Sequence, residues 1–485
     1  MRLTCRHQLL TCFTLILFLQ AMHAFGGIKE DTVIKRVVQA YGGNSLTKLK
    51  SIKVHSRYKT FSASQSTNPE ITDVYLRNTS LVIDFDNQRS SLETWTKNAN
   101  GARLGKVFYD GKTGHSINYM RGTHVDRPDL TFASVMGSDV RLLDTALARD
   151  LFIHSNTAEY QGEVVYKSCP HDVLSVLFNG TSKLTLYIDK SSGFISKMSL
   201  PGGFTYVYSD YQAQEGVKYA ADTTYLVSGE PNLITLSKSI ELNPKIDEEF
   251  EIPVEITTIP GGMLDTSEPI TKKLADGIYF VGQNSSYSLF IDAGDYFIEA
   301  GGISGLSQRL TWIKEATNSN KPLKYQIISF HGHVDGAEEA IKLGAQLITV
   351  DSNIPLLSKT ISTSIPEKQL TLVSDSLRLA DGRVQVFDIS TSLAEHNLIV
   401  YIPETKSVFS LDHFSTQVKN ALPGPSNNAL TYLRALDALN LEIETLYDAH
   451  TPKSFTLNEL RSVANNYVAI DCLPGHEVCS GYGTN

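Results

Sequence analysis

His331, Gly332, His333, Val334 and Asp335 follow one another directly after the run Tyr325-Gln326-Ile327-Ile328-Ser329-Phe330. Two imidazoles at i and i+2 on a loop leaving a strand can point to one side when glycine stands between them, and neutral imidazole is a preferred ligand of Zn²⁺. The carboxylate of Asp335, two residues on, can reach a neighbouring ion. Further along, Asp412 ends the run Ser407-Val408-Phe409-Ser410-Leu411, and His450 follows Tyr447-Asp448-Ala449. An isolated pair of loop histidines carries little, so the weight falls on the elements that hold these residues.

From about residue 260 onward, strand patterns alternate with helical ones. Gly277–Val281, Ser288–Ile291, Tyr296–Ile298, Tyr325–Phe330 and Leu347–Val350 read as strands, and 305–316 and 337–343 as helices, which is α/β text. The Pro/Gly bridge from Ile252-Pro253 to Ile259-Pro260-Gly261-Gly262 separates this half from the one before it. The first half opens with a helical face (Ile28, Val33, Ile34, Val37, Val38, Tyr41) stopped by Gly42-Gly43. Alternating text then runs to about Leu242, with Asp189-Lys190-Ser191-Ser192-Gly193 as a hairpin turn. The product expected is an α+β domain, an antiparallel, strongly curved sheet or half-barrel with the helix on its concave face. Its histidines, His55, His115, His124, His154 and His171, show no ligand spacing, and no catalytic constellation is visible there.

The chain has 485 residues, 41% of them hydrophobic and 20% charged, with 33 Gly and 17 Pro, an ordinary globular composition long enough for two cores. Its formal charge of −9 argues against nucleic-acid partners. Arg2 and Arg6, then an apolar run over about 9–22 and a polar continuation after Ala24, have the layout of a secretory signal peptide over 1–24, with an uncleaved anchor as the alternative. Cleavage makes the chain two charges more negative, leaves no stable membrane span and places the protein in the periplasm or outside the cell. Of the five cysteines, Cys5 and Cys12 leave with that leader. Cys472 and Cys479 either close a small disulfide loop in the tail or remain thiols, and Cys169 is odd.

Two resemblances follow from particular residues. Residues 25–255, with Ala40-Tyr41-Gly42-Gly43, the Tyr187-Ile188-Asp189 hairpin and Ser209-Asp210-Tyr211, resemble periplasmic lipoprotein-carrier-like β domains, which implies an apolar ligand; a scaffold or partner-docking role is the other reading. Residues 262–470 resemble the metallo-β-lactamase superfamily through Asp276-Gly277-Ile278-Tyr279, the H-x-H-x-D loop, Tyr401-Ile402-Pro403-Glu404-Thr405-Lys406, Asp412 and His450-Thr451-Pro452. The resemblance implies a four-layer αβ/βα sandwich, His331 and His333 on a first metal, Asp335 and His450 on a second, and Asp412 bridging both. Asp335 is the residue it singles out for catalysis, and hydrolysis by metal-activated water is the reaction it implies.

The sequence departs from that family's pattern in three places. Gly336 follows Asp335 where a second-site histidine is usual, Leu393 occupies the position of the first site's third histidine, and Glu299 replaces the aspartate that ends the second strand. Zn²⁺ is therefore expected as one ion rather than two, or not at all, with His396 as a candidate replacement ligand or a solvent-facing strand-edge residue. A metal-dependent hydrolase of a small molecule and a catalytically inactive binding or scaffold protein both remain open, as do substrate and oligomeric state. Residues 471–485 form a tail.

Overall fold

The computed structural model describes residues 29–62, 66–180, 182–362 and 364–480. The leader read over 1–24 lies outside the described residues. Among the described residues, no helix is long and apolar enough to cross a membrane.

Alternation along Ser51–Ser62 turns Ile52, Val54 and Tyr58 into the core while Arg57 faces water. This strand pairs antiparallel with both Asp73–Asp84 and Glu230–Leu242. The strands of 73–126 extend the sheet on one side and those of 159–227 on the other, giving fourteen strands in one sheet. Its pairings are antiparallel except at one edge, where Thr257–Thr258 of the interdomain bridge lies parallel to Thr123–Asp126. Helical residues 29–40 and the helix Asp144–Ile153 bury Val33, Ile34, Val37, Ala146, Leu147 and Leu151 in one cluster with sheet residues such as Leu174, Leu186 and Ile240. Within that core, Tyr41 donates to Asp144 (2.7 Å), and the ammonium of Lys238 donates to the carbonyls of Leu142 (2.8 Å) and Ala220 (2.9 Å) and to Thr223 Oγ1 (2.8 Å).

The second half has two sheets, one of seven strands between 270 and 372 and one of six between 376 and 456. Its strands read as continuous apolar runs because both faces are covered. In the first sheet, Phe280, Leu289, Ile291, Ile298 and Ile327 face one cluster, while Val281, Phe290, Phe297 and Ile328 face another that holds Leu306, Leu310 and Ile313 of the helix Leu306–Thr317. In the second sheet, Leu398, Val400, Ile402 and Phe409 join the first of those clusters. Ile399, Tyr401 and Val408 pack instead with the helices Asn427–Ala438 and Leu457–Ala464. The period-two switch of faces therefore sets the layers as helix, sheet, sheet, helix.

The chain end returns to the first sheet. Cys472 and Cys479 form a disulfide with Cα atoms 5.4 Å apart, and Val478 and Cys479 pack on Trp95 and Leu104. Trp95 Nε1 donates to the Asp471 carbonyl (2.6 Å) and Asn78 Nδ2 to that of Val478 (2.7 Å). Asn100 and Asn68 also meet Ser392 (2.7 Å) and Glu395 (2.7 Å), so the two halves touch on both sides of the bridge.

Candidate metal centre

The strand Leu323–Ile327 lies parallel between Phe297–Ala300 and Gln346–Thr349, and Ser407–Ser410 lies parallel to Thr445–Asp448 with Ser410 opposite Asp448. Ligand sites in open α/β sheets gather beyond the carboxyl ends of such strands. His333 leaves the first sheet there. Asp412 and His450 leave the second, each two residues past the Ser410–Asp448 pair.

Close backbone packing fixes the H-x-H loop. The Leu398 amide donates to the Ser329 carbonyl (2.7 Å), tying the loop to the opposite sheet, and the Gly336 amide donates to that of Gly302 (2.9 Å). Gly302 has φ 71°, and a Cβ there would stand 2.9 Å from the His333 carbonyl. A side chain at Gly336 would meet the Ile303 carbonyl at 2.4 Å, so the position of the missing second-site histidine has no room for one.

Three of the five expected ligands converge. His333 Nε2 lies 2.9 Å from Asp412 Oδ2, and His450 Nε2 lies 3.0 Å from Asp412 Oδ1. One ligand atom from each of the three falls within 4.8 Å of the others. His450 Nδ1 is 3.0 Å from the Ser285 carbonyl and donates to it, so the tautomer that presents Nε2 to the site is fixed. Asp412 sits at φ 66°, a left-handed conformation uncommon outside glycine, and Asn428 Nδ2 donates to its carbonyl (2.8 Å). The Asp448 carboxylate accepts the amides of His450 (3.0 Å), His413 (3.1 Å) and Phe414 (3.3 Å), and so holds both ligand loops at once.

Charge follows from these contacts. Burial works against the Asp412 carboxylate, but hydrogen bonds from His333 and His450 overcome it and hold the group well below the usual carboxylate range. Burial opposes the charged form of His450 as well, yet the hydrogen bond and charge of Asp412, with Asp448 behind, push that imidazole up to about 9. Burial pushes the Asp448 carboxyl up to about 6 against the pull of His450.

The other two expected ligands, His331 and Asp335, are not in that grouping. His331 is 1% exposed with Nε2 lacking a partner, and the Ser66 backbone and the charge of Asp73, both of the first half, act on its ring. Burial pushes its pKa down, the Ser66 backbone and Asp73 opposing and His333 adding to the fall. Asp335 is exposed, two residues before the helix Ala337–Lys342, and is not in the grouping.

No family model matches the chain, and no curated protein matches it. Solved structures do match. The DIM-1 metallo-beta-lactamase aligns with 41% of this chain and 96% of its own at 16% identity and a TM-score of 0.32. The metallo-beta-lactamase from Pontibacter korlensis aligns with 41% of this chain and all of its own (100%) at 16% identity and 0.32. FIM-1 from Pseudomonas aeruginosa, in a mono-zinc form, aligns with 42% and 96% at 13% identity and 0.32.

The remaining departures have physical accounts. Leu393 packs against the core between the sheets and lines a cleft of about 230 Å³ shared with Thr67, Asp73, Tyr75 and Asn100 of the first half. His396 is not a replacement ligand: its Nδ1 pairs with Asp388 Oδ2 (2.7 Å) at a half-exposed strand edge. Glu299 is buried and accepts from Ser288 Oγ (2.5 Å), bracing the strand end rather than joining the cluster. His413 is buried, stacked on Tyr432 and bonded to Asn428, and burial pushes its pKa down to about 4. His476 in the tail pairs with Glu93 (2.6 Å). Sequence reasoning passed over Asp448, although its place two residues before His450 on the same strand end was a signal. It also passed over a second grouping of ligand-type side chains, His115, His124 and Asp126, in the first half.

Proposed function

We propose that this chain is an exported hydrolase that holds one divalent ion, zinc by its donor set, on His333, Asp412 and His450. The observation that carries this is the approach of two imidazole Nε2 atoms to separate oxygens of one ionised carboxylate. Two nitrogens and an oxygen suit zinc and leave a coordination position for water. An ion held there supplies a Lewis acid and lowers the pKa of the water it binds. The chain's own residues do the rest. Asp412 supplies the negative charge, His450 gives up the proton on Nε2, the Ser285 carbonyl keeps the His450 ring in register, and Asp448 holds both loops. The proposed substrate is a small molecule, and the proposed location is periplasmic or secreted, resting on the leader.

A second reading, metal binding without turnover, is favoured by His331, which is buried with Nε2 unpartnered and is not in the cluster. One experiment separates the two. The dialysed chain is assayed for zinc and for chelator-reversible hydrolysis of p-nitrophenyl esters, bis-p-nitrophenyl phosphate and a chromogenic cephalosporin, beside H333A/H450A. Hydrolysis that H333A/H450A abolishes, together with one zinc per chain fewer in that variant, supports the hydrolase. Zinc without hydrolysis supports the binding protein, and zinc uptake unchanged in H333A/H450A removes both.

A further inference from the structure

The edge of the large sheet carries a separate cluster built on a single hairpin. Gly114–Asn118 and Thr123–Asp126 pair antiparallel with His115 opposite Asp126 and Ile117 opposite His124. Opposed residues share a face, and so do residues two apart along a strand. The register alone therefore brings His115, His124 and Asp126 together.

His115 Nδ1 lies 3.0 Å from His124 Nε2 and 3.3 Å from Asp126 Oδ1, and His124 Nε2 lies 3.5 Å from the same oxygen. Ligand atoms bound tetrahedrally to zinc at about 2.0–2.1 Å stand about 3.3–3.4 Å apart. The three spacings bracket that edge, so an ion fits over this triangle with only small side-chain movement.

The ring nitrogens pointing away are also provided for. His124 Nδ1 lies 3.2 Å from Thr258 Oγ1, and His115 Nε2 faces Asp110 Oδ2 at 3.7 Å. Hydroxyl and carboxylate partners on the outer nitrogen accompany metal-bearing histidines, because they set the tautomer and ring angle. His115 stacks on Phe108 at 4.6 Å, and the side chains of His124 and His115 are 2% and 11% exposed. The Asp126 side chain is 64% exposed and gives ion and water a path in.

We infer that His115 Nδ1, His124 Nε2 and Asp126 Oδ1 form a structural site for a zinc-class divalent cation, with water in the fourth position. The site fastens the interdomain bridge. The Thr257 amide donates to the Gly122 carbonyl (2.9 Å) and the Ile259 amide to that of His124 (2.8 Å). An ion that fixes His124 therefore fixes Thr258 and the strand it belongs to. This site stands independently of the ion proposed on His333, Asp412 and His450.

The test uses Zn²⁺ alone on the full chain. H333A/H450A should retain about one zinc per chain after dialysis, and D126A/H333A/H450A should retain none. Zinc should slow amide exchange at Thr257 and Ile259 in the first variant and not in the second. No zinc on H333A/H450A, or uptake there that D126A leaves unchanged, overturns the site. Should H333A/H450A disturb the sandwich, D126A in the otherwise unaltered chain must lower uptake by one ion, and an unchanged stoichiometry overturns the site equally. Asp126 is exposed, so its removal leaves no buried group without a partner.

Discussion

Among the described residues stand two clusters of two imidazoles and a carboxylate, and they are assembled in opposite ways. His333, Asp412 and His450 come from three loops spread over 118 positions and meet because two sheets stack with their parallel strand ends together. His115, His124 and Asp126 lie within twelve positions and meet through one pairing register. The first stores charge: Asp412 is ionised and His450 carries a proton well past neutrality. In the second, burial pushes His124 below its ordinary pKa, Asp126 opposing and His115 adding, so the ring is a ready neutral ligand. A site built across loops can change shape with its substrate, whereas a site on a hairpin mainly holds structure.

Four measurements would break or sharpen that contrast. The largest effect is expected from Asp412→Ala, which removes the carboxylate both imidazoles address. Zinc at this centre and any hydrolysis should fall by more than the roughly 10–100-fold typical of outer partners, with hairpin uptake untouched. Next comes pH. Zinc must displace the proton on His450, so affinity at the loop-built centre should drop about tenfold for each unit below pH 9, while the hairpin changes little between pH 7 and 9. Zinc titrations of D126A and of H333A/H450A over pH 6–9 read the two sites separately.

Asp448→Asn should follow. Its single carbonyl oxygen cannot accept all three loop amides, so zinc affinity at the loop-built centre should fall about 10–100-fold. Metal titration of the variant measures it. The smallest effect concerns Lys238 in the helix-covered core of the large sheet. Burial pushes its pKa down to about 8, with Asp144 and Asp222 opposing. Between pH 8 and the ordinary 10.5 the unfolded chain binds the extra proton, so stability should rise with pH, by at most about 1.4 kcal/mol per unit. Lys238→Met should flatten that slope in thermal melts taken across the range.

Much of the second half was legible because its strands are uninterrupted apolar runs and its ligand-type residues stand at strand ends. Leu289-Phe290-Ile291 and Leu398-Ile399-Val400 announce strands buried on both faces, and the layers follow from that. Less legible was which member of the H-x-H pair joins the cluster, since His331 is buried near the first half, where the Ser66 backbone and the charge of Asp73 act on it. The hairpin cluster had a local signal in His124-Val125-Asp126, two ligand types at strand period after the turn at Gly122. It went unread because His115 joins it only once the register opposite Asp126 is known.

The sequence by itself determined the bipartite organisation, the alternation that separates the layers and the residue types able to bind metal, since each depends on local periodicity or composition. Only the tertiary structure decided that Asp412 stands between His333 and His450, that Gly336 leaves no room for a side chain, and that the tail returns to Trp95. Those outcomes depend on where distant backbone segments come to rest, and that is settled by packing across the whole chain.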